Sequence, residues 1–221
     1  MFRMRVLKII VFFAATGAML MPTTQAIAMS NATFWSLIAQ SKPAAPAAQD
    51  QQIQTLHTLL SSLSKEELIA FHTHYETYLD KAYHWDLWAA AYIIGGGCSD
   101  DGFAYFLDWL IAQGEEVYTA ALQDPNRLIG VAVADASELA GFRDVMHRVF
   151  EDKYGAPMPA PQIVRHDIQG EPWEEEDVEA RLPELAAWID SINADARPSE
   201  HAAPPPQRKT DSFWRRLFGG Q

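Results

Sequence analysis

Apolar positions along residues 29–195 recur three or four apart in short stretches, and polar caps and turns separate these stretches. That spacing is one face of a helix, so the pattern predicts a succession of amphipathic helices. Ser30 or Asn31 caps the first, with Phe34, Trp35, Leu37 and Ile38 inward and an end near Ser41. Residues 42–49 form a Pro/Ala connector whose two prolines forbid a continuous helix. Asp50 is placed to cap the second helix, which buries Ile53, Leu56, Leu59, Leu60 and Leu63. Ser64-Lys-Glu-Glu67 is a capping box. It opens a third helix with Leu68, Ile69, Phe71, Tyr75, Tyr78 and Leu79 inward.

A fourth helix is predicted from about Asp86 to Ile94, stopped by Gly95-Gly96-Gly97. Ser99, Asp100 or Asp101 caps a fifth, bearing Phe103, Phe106, Leu107, Leu110 and Ile111, with Gly114 as its left-handed C-terminal residue. A short sixth helix holds Val117, Tyr118, Ala121 and Leu122 before the turn Asp124-Pro125-Asn126. Asp135 is expected to cap the seventh, with Leu139, Phe142, Val145, Met146, Val149 and Phe150 inward and Gly155 at its end. Residues 156–161, Ala-Pro-Met-Pro-Ala-Pro, form an extended connector. Gln162–Ile168 is either a short strand or an extended packing arm, and no partner strand is evident. An acidic stretch, 174–179, leads through Pro183 to a last helix with Leu185, Trp188, Ile189 and Ile192. The fold class expected is therefore all-α: a single compact multi-helix domain over 29–195, with a C-terminal extended arm and helix. Residues 196–211 are a Pro-rich linker, and 212–221 a short basic aromatic tail.

The first 28 residues stand apart. Arg3, Arg5 and Lys8 precede an apolar run from Ile9 to Met21, Pro22 breaks it, and Ala26-Ile27-Ala28 supplies a small-x-small cleavage pattern. This is a signal peptide placing the protein in the periplasm or outside the cell. The alternative is cytoplasmic synthesis starting at Met29, whose Met-Ser-Asn context resembles an ordinary start.

Charge changes the list of partners. Residues 29–195 carry nine basic and 27 acidic residues, a net of −18, whereas the two flanks carry +3 each. Such a body repels phosphate backbones, which excludes nucleic acid as its partner and favours a basic protein or peptide. In the tail, Phe213, Trp214, Leu217 and Phe218 lie beside Arg215 and Arg216. Eight residues are too few for a stable helix in water, and two charges with four apolar side chains give only weak attachment to an anionic membrane surface. A partner's groove and the protein's own acidic body are the other surfaces open to it.

Candidate chemistry concentrates in Gly95-Gly-Gly-Cys-Ser-Asp-Asp-Gly102. One reading is a tight loop presenting Cys98, Ser99, Asp100 and Asp101 beside His84 and Asp86, with the helix start holding Cys98 as a thiolate. The other is a helix stop, a turn and a cap. No phosphate loop is formed, because no Lys-Ser/Thr follows, and the alternating ligands of a calcium loop are missing. With one cysteine there is neither an intramolecular disulfide nor a Cys-rich zinc site. His72 and His74 point to different sides of their helix. No cofactor motif and no metal site is assigned. Trp85, Trp88, Tyr92, Phe103, Tyr105, Phe106 and Trp109 are a dense aromatic block, mostly core, from which Trp85, Tyr105 and Trp109 are expected to line a groove.

The run Asp86-Leu-Trp-Ala-Ala-Ala-Tyr-Ile-Ile-Gly-Gly-Gly-Cys-Ser-Asp-Asp-Gly-Phe103, with Phe106, Trp109, Gly114, Tyr118 and Asp124-Pro125, resembles the bacterial domain-of-unknown-function 4240 family. Phe34-Trp35 and Leu63-Ser-Lys-Glu-Glu-Leu-Ile-Ala-Phe71 are similar to its opening, and the resemblance spans about residues 32–150. It implies the domain and brings no activity with it. Two functions are left: a non-enzymatic protein-interaction domain, an inhibitor or immunity-like role being one form of it, and an enzyme using Cys98 or Asp100/Asp101 with His84.

Overall fold

The computed structural model describes residues 29–43, 49–131 and 137–196, and no side chain beyond Asn193–Ala194. The leader, the middle of the Pro/Ala connector, Asp135 and the tail lie outside the described residues. What is described is all-α, as the periodicity predicts. Ser30 caps α1 (Asn31–Ser41), its Oγ accepting the Thr33 amide at 3.0 Å. The helix α2 (Gln49–Ser61) begins one residue before Asp50, which therefore sits in the first turn instead of capping it. The capping box of α3 (Lys65–Ala82) is formed from both sides. Ser64 Oγ accepts the Glu67 amide at 3.2 Å, and the Ser64 amide donates to Glu67 Oε2 at 2.8 Å.

Helix α4 (Trp85–Gly95) is capped by His84, whose Nδ1 accepts the Asp86 amide, and is closed by Gly96 at φ 67°. Ser99 caps α5 (Asp100–Ala112). Gly114 has φ 91° and ψ 172°, outside the left-handed helical region expected for it. It follows the terminal residue Gln113 and serves as the N-cap of α6 (Glu115–Gln123). A 3-10 turn, Pro125–Leu128, follows.

The seventh helix is shorter than the pattern suggests. α7 runs Asp144–Tyr154, so Leu139, in irregular chain, and Phe142, in a turn, lie before it. Both are still buried, and the Leu139 amide donates to the Tyr105 carbonyl at 3.1 Å. Helical spacing of apolar residues thus arose here without a helix, because the segment reaches the core by wrapping. The chain then extends as an arm, with no sheet. A single parallel bridge joins Gln169 to His84, through Trp85 N–H to the Gln169 carbonyl (2.9 Å) and Gln169 N–H to the Tyr83 carbonyl (3.1 Å). A 3-10 turn, Glu175–Asp177, leads into α8 (Val178–Arg181) and α9 (Pro183–Ala196).

Helix α4 is the centre of the molecule. It is buried nearly all round, as a helix covered on several sides must be. Helix α5 lies on one side, and α8 and α9 cover another. Trp88 stacks on Phe103 of α5 (4.9 Å between rings), and Trp173 of the arm meets Trp85 edge-on at 5.9 Å. The Trp173 indole N–H donates to the Trp85 carbonyl at 2.8 Å, so this buried tryptophan has its polar atom satisfied. A second aromatic group joins Phe34, Trp35, Phe71, Tyr78 and Tyr118 from α1, α3 and α6. Gln52, inward from α2, donates to the Ala112 carbonyl at the end of α5 (2.9 Å). It satisfies one of that helix's orphan acceptors.

Candidate functional site

The glycine-rich loop builds a cap. Gly96 and Gly97 both have positive φ, and Gly102 packs so closely that an added Cβ would lie 3.2 Å from Glu138 Oε1. Cys98 is half-buried; burial first, and the Glu138 carboxylate second, push its thiol up to about 12. Of the two readings, the thiolate is not favoured: desolvation and a neighbouring anion raise the thiol. Asp100 and Asp101 are exposed, and Asp100 lines a cleft together with Tyr83.

His84 and Asp86 belong elsewhere. The His84 ring caps α4 and lies 3.5 Å from Asp86, whose carboxylate also receives Arg181 of α8. The arm covers the same ring, for a Cβ on Gly170 would meet His84 Cε1 at 2.4 Å. Among the described residues no hydrogen bond or ion pair joins His84 to Cys98, Asp100 or Asp101. The expected constellation is thus divided between a cap beneath the arm and a loop at the other end of α4. The aromatic groove is not formed either. Trp85 and Trp109 are core residues at 6% and 4% exposure, and only Tyr105 is exposed.

The arrangement richest in chemistry is a cleft of about 250 Å³ between α3, α5, the start of α7 and the arm. Its lining combines the apolar Leu79, Tyr83, Phe103 and Leu107 with Arg143, Arg165 and His166 and the carboxylates Asp80 and Asp100. Each of the three basic side chains is held by a carboxylate. Arg143 donates through Nε and Nη2 to Asp108 Oδ1 (3.1 and 3.0 Å), to which the buried Tyr75 hydroxyl also donates (2.8 Å). Arg165 pairs with Glu76, and His166 Nδ1 lies 2.7 Å from Asp80, which also accepts the His166 amide.

The carboxylates differ in environment. Burial pushes Asp108 up to about 6, a shift that Arg143 and Tyr75 only partly offset. Burial also acts to raise Glu76, but bonds from His72 and Arg165 outweigh it and hold the group at about 2. His72 is buried with Nε2 3.6 Å from Glu76, and its Nδ1 has no hydrogen-bond partner among the described residues. His147 meets the His72 ring edge-on; burial, then its neighbour His72, lower its pKa.

Sequence reasoning missed Glu76, Asp108, Arg143 and Arg165. The available signal was a carboxylate on an apolar stripe. Asp108 lies among Phe106, Leu107, Leu110 and Ile111, and Glu76 follows Tyr75 on the inward side of α3. A buried carboxylate requires a partner. For Glu76 the partner is Arg165 of the arm, and for Asp108 it is Arg143 just before α7, neither of them near in sequence.

A second groove of about 240 Å³ lies between the C-terminal end of α4 and α8–α9. Its floor is Ile93, Ile94, Val178 and Ile189, and Glu179 and Asp190 flank it. Among the described residues no group of three or more His, Cys, Asp and Glu is placed to hold a metal ion, and no helix is long and apolar enough to cross a membrane.

Residues 29–155 match the family described as "Protein of unknown function (DUF4240)". That is more than half of the 221 residues, and the chain belongs to this family. The match closes at the end of α7, before the arm and the two helices that cover α4. Searches of the curated proteins and of the solved structures found no match.

Proposed function

We propose that residues 29–196 act as a non-enzymatic binding domain for a protein or peptide. The partner is held in the cleft between α3, α5 and the arm. The observation that carries this reading is the cleft's construction. Apolar side chains share the cleft with Arg143, Arg165 and His166, each already bonded to a carboxylate. Side chains ordered before the ligand arrives lose little freedom on binding. Concave apolar surface with a few placed polar groups is how binding sites are built. The acidic body supports a partner with basic surface elsewhere, drawn in by long-range attraction.

A photo-crosslinking residue at Ala104, which lines the cleft, tests this in cells that make the protein. The same residue at Thr58, exposed on α2, is the control. Discrete protein adducts from position 104, lost with Tyr83→Ala or Arg165→Glu, are expected. Equal adducts from both positions, or adducts indifferent to both substitutions, would overturn the reading.

A further inference from the structure

We propose that the basic aromatic segment 212–218 docks in the groove between α4 and α8–α9 of its own chain. The groove and the segment match in three respects. The first is apolar: the groove, about 240 Å³, opens over the buried Ile93, Ile94, Val178 and Ile189, and the segment brings Phe213, Trp214, Leu217 and Phe218. The second is charge. Glu179 and Asp190 flank the floor, and the adjoining stretch holds Glu174, Glu176 and Asp177, all exposed. Helix α4 ends at Gly95, which lines the groove, with no basic residue in its last turn, so the helix end adds partial negative charge. Arg215 and Arg216 are the counterpart, in a chain whose body is otherwise acidic.

The third match is reach. Asn193 lines the groove one turn before α9 ends at Ala196. Residues 197–211 then connect to the segment, and fifteen residues reach from about 20 Å as a coil to about 45 Å as an extended Pro-rich chain. Tethering at that range gives an effective concentration on the order of millimolar, which makes contacts sufficient that would be weak between separate molecules. The occupant is therefore the same chain, ahead of an anionic membrane or a second copy.

The test places a photo-crosslinking residue at Phe218 in the full chain and maps adducts by mass spectrometry at low protein concentration. Expected are monomeric products joined to residues 92–96 or 178–193. Glu179→Lys with Asp190→Lys should reduce their yield several-fold, because both positions are exposed and the substitutions leave the core intact. Adding Arg215→Glu and Arg216→Glu to that variant should restore the yield. Circular dichroism of each variant checks that the fold survives. Adducts elsewhere on the body overturn the proposal, as do products found only between two copies. So does a yield indifferent to charge reversal, or capture only by vesicles of anionic phospholipid.

Discussion

Two buried or half-buried groups are shifted in opposite senses, and each shift has a measurable result. The Cys98 thiol is pushed from 9.0 to about 12 by burial and by Glu138, and only the thiolate reacts. Iodoacetamide at pH 8 should therefore modify native Cys98 about a hundredfold or more slowly than the unfolded chain. Rapid native labelling would show the thiol to be activated. Glu76 is held at about 2, against 4.5 for a free carboxyl. A depressed carboxylate stabilises the fold fully above its unfolded value and loses that contribution as pH falls toward the folded one. The stability gap between the native protein and Glu76→Gln should be on the order of 3 kcal/mol near pH 6. It should close between about pH 4.5 and 2. Denaturant titrations across that range would show it, and a gap that widened on acidification would contradict the pairing with His72 and Arg165.

Among the elements, the arm depends on one backbone conformation. Gly170 sits at φ +87°, and its backbone lies against the His84 ring. A side chain there meets both an unfavourable dihedral and a filled space, so Gly170→Ala should cost about 1–3 kcal/mol. Removing the ring removes the clash but not the dihedral. His84→Ala with Gly170→Ala should then lose less than the two single changes summed. Strict additivity in thermal melts would place the ring elsewhere. Helices α1, α3 and α5 were legible in cap and stripe alike, as Ser30, Ser64 and Ser99 show, and α2, α4 and α6 from their apolar stripes. The arm was legible only as extended chain, since its partners are set by contacts 80–90 residues away: Glu76, Asp80 and Tyr83. The same distance hid the cleft. His84, Asp86 and Cys98 looked like a site because they are close in sequence, whereas α4 holds the first two and the last at its opposite ends.

At the scale of the molecule, stability rests on the contacts of α4 with everything around it. Trp88 stacks on both Trp85 and Phe103, so Trp88→Ala should cost about 3–5 kcal/mol in denaturant unfolding. A change below about 1 kcal/mol would show that the helix is not central. The enclosure of α4 is shared between two parts of the chain: the family match supplies α5, and residues beyond it supply Trp173, α8 and α9. Between them, residues 156, 157, 159 and 160 are exposed, Met158 alone of this stretch packs on the core, and among the described residues the backbone of the arm first bonds to the body at His166. A specific protease site at Ala160 should therefore be cut readily in the native state. The cut halves should still migrate as one particle and part only in denaturant, because what joins them is buried tryptophan and helix packing. Separation on cutting would show that the peptide link itself maintains the contact. The folded molecule is in this sense a complex of two complementary fragments synthesised as one chain, and its second fragment acts as an interface subunit for the first.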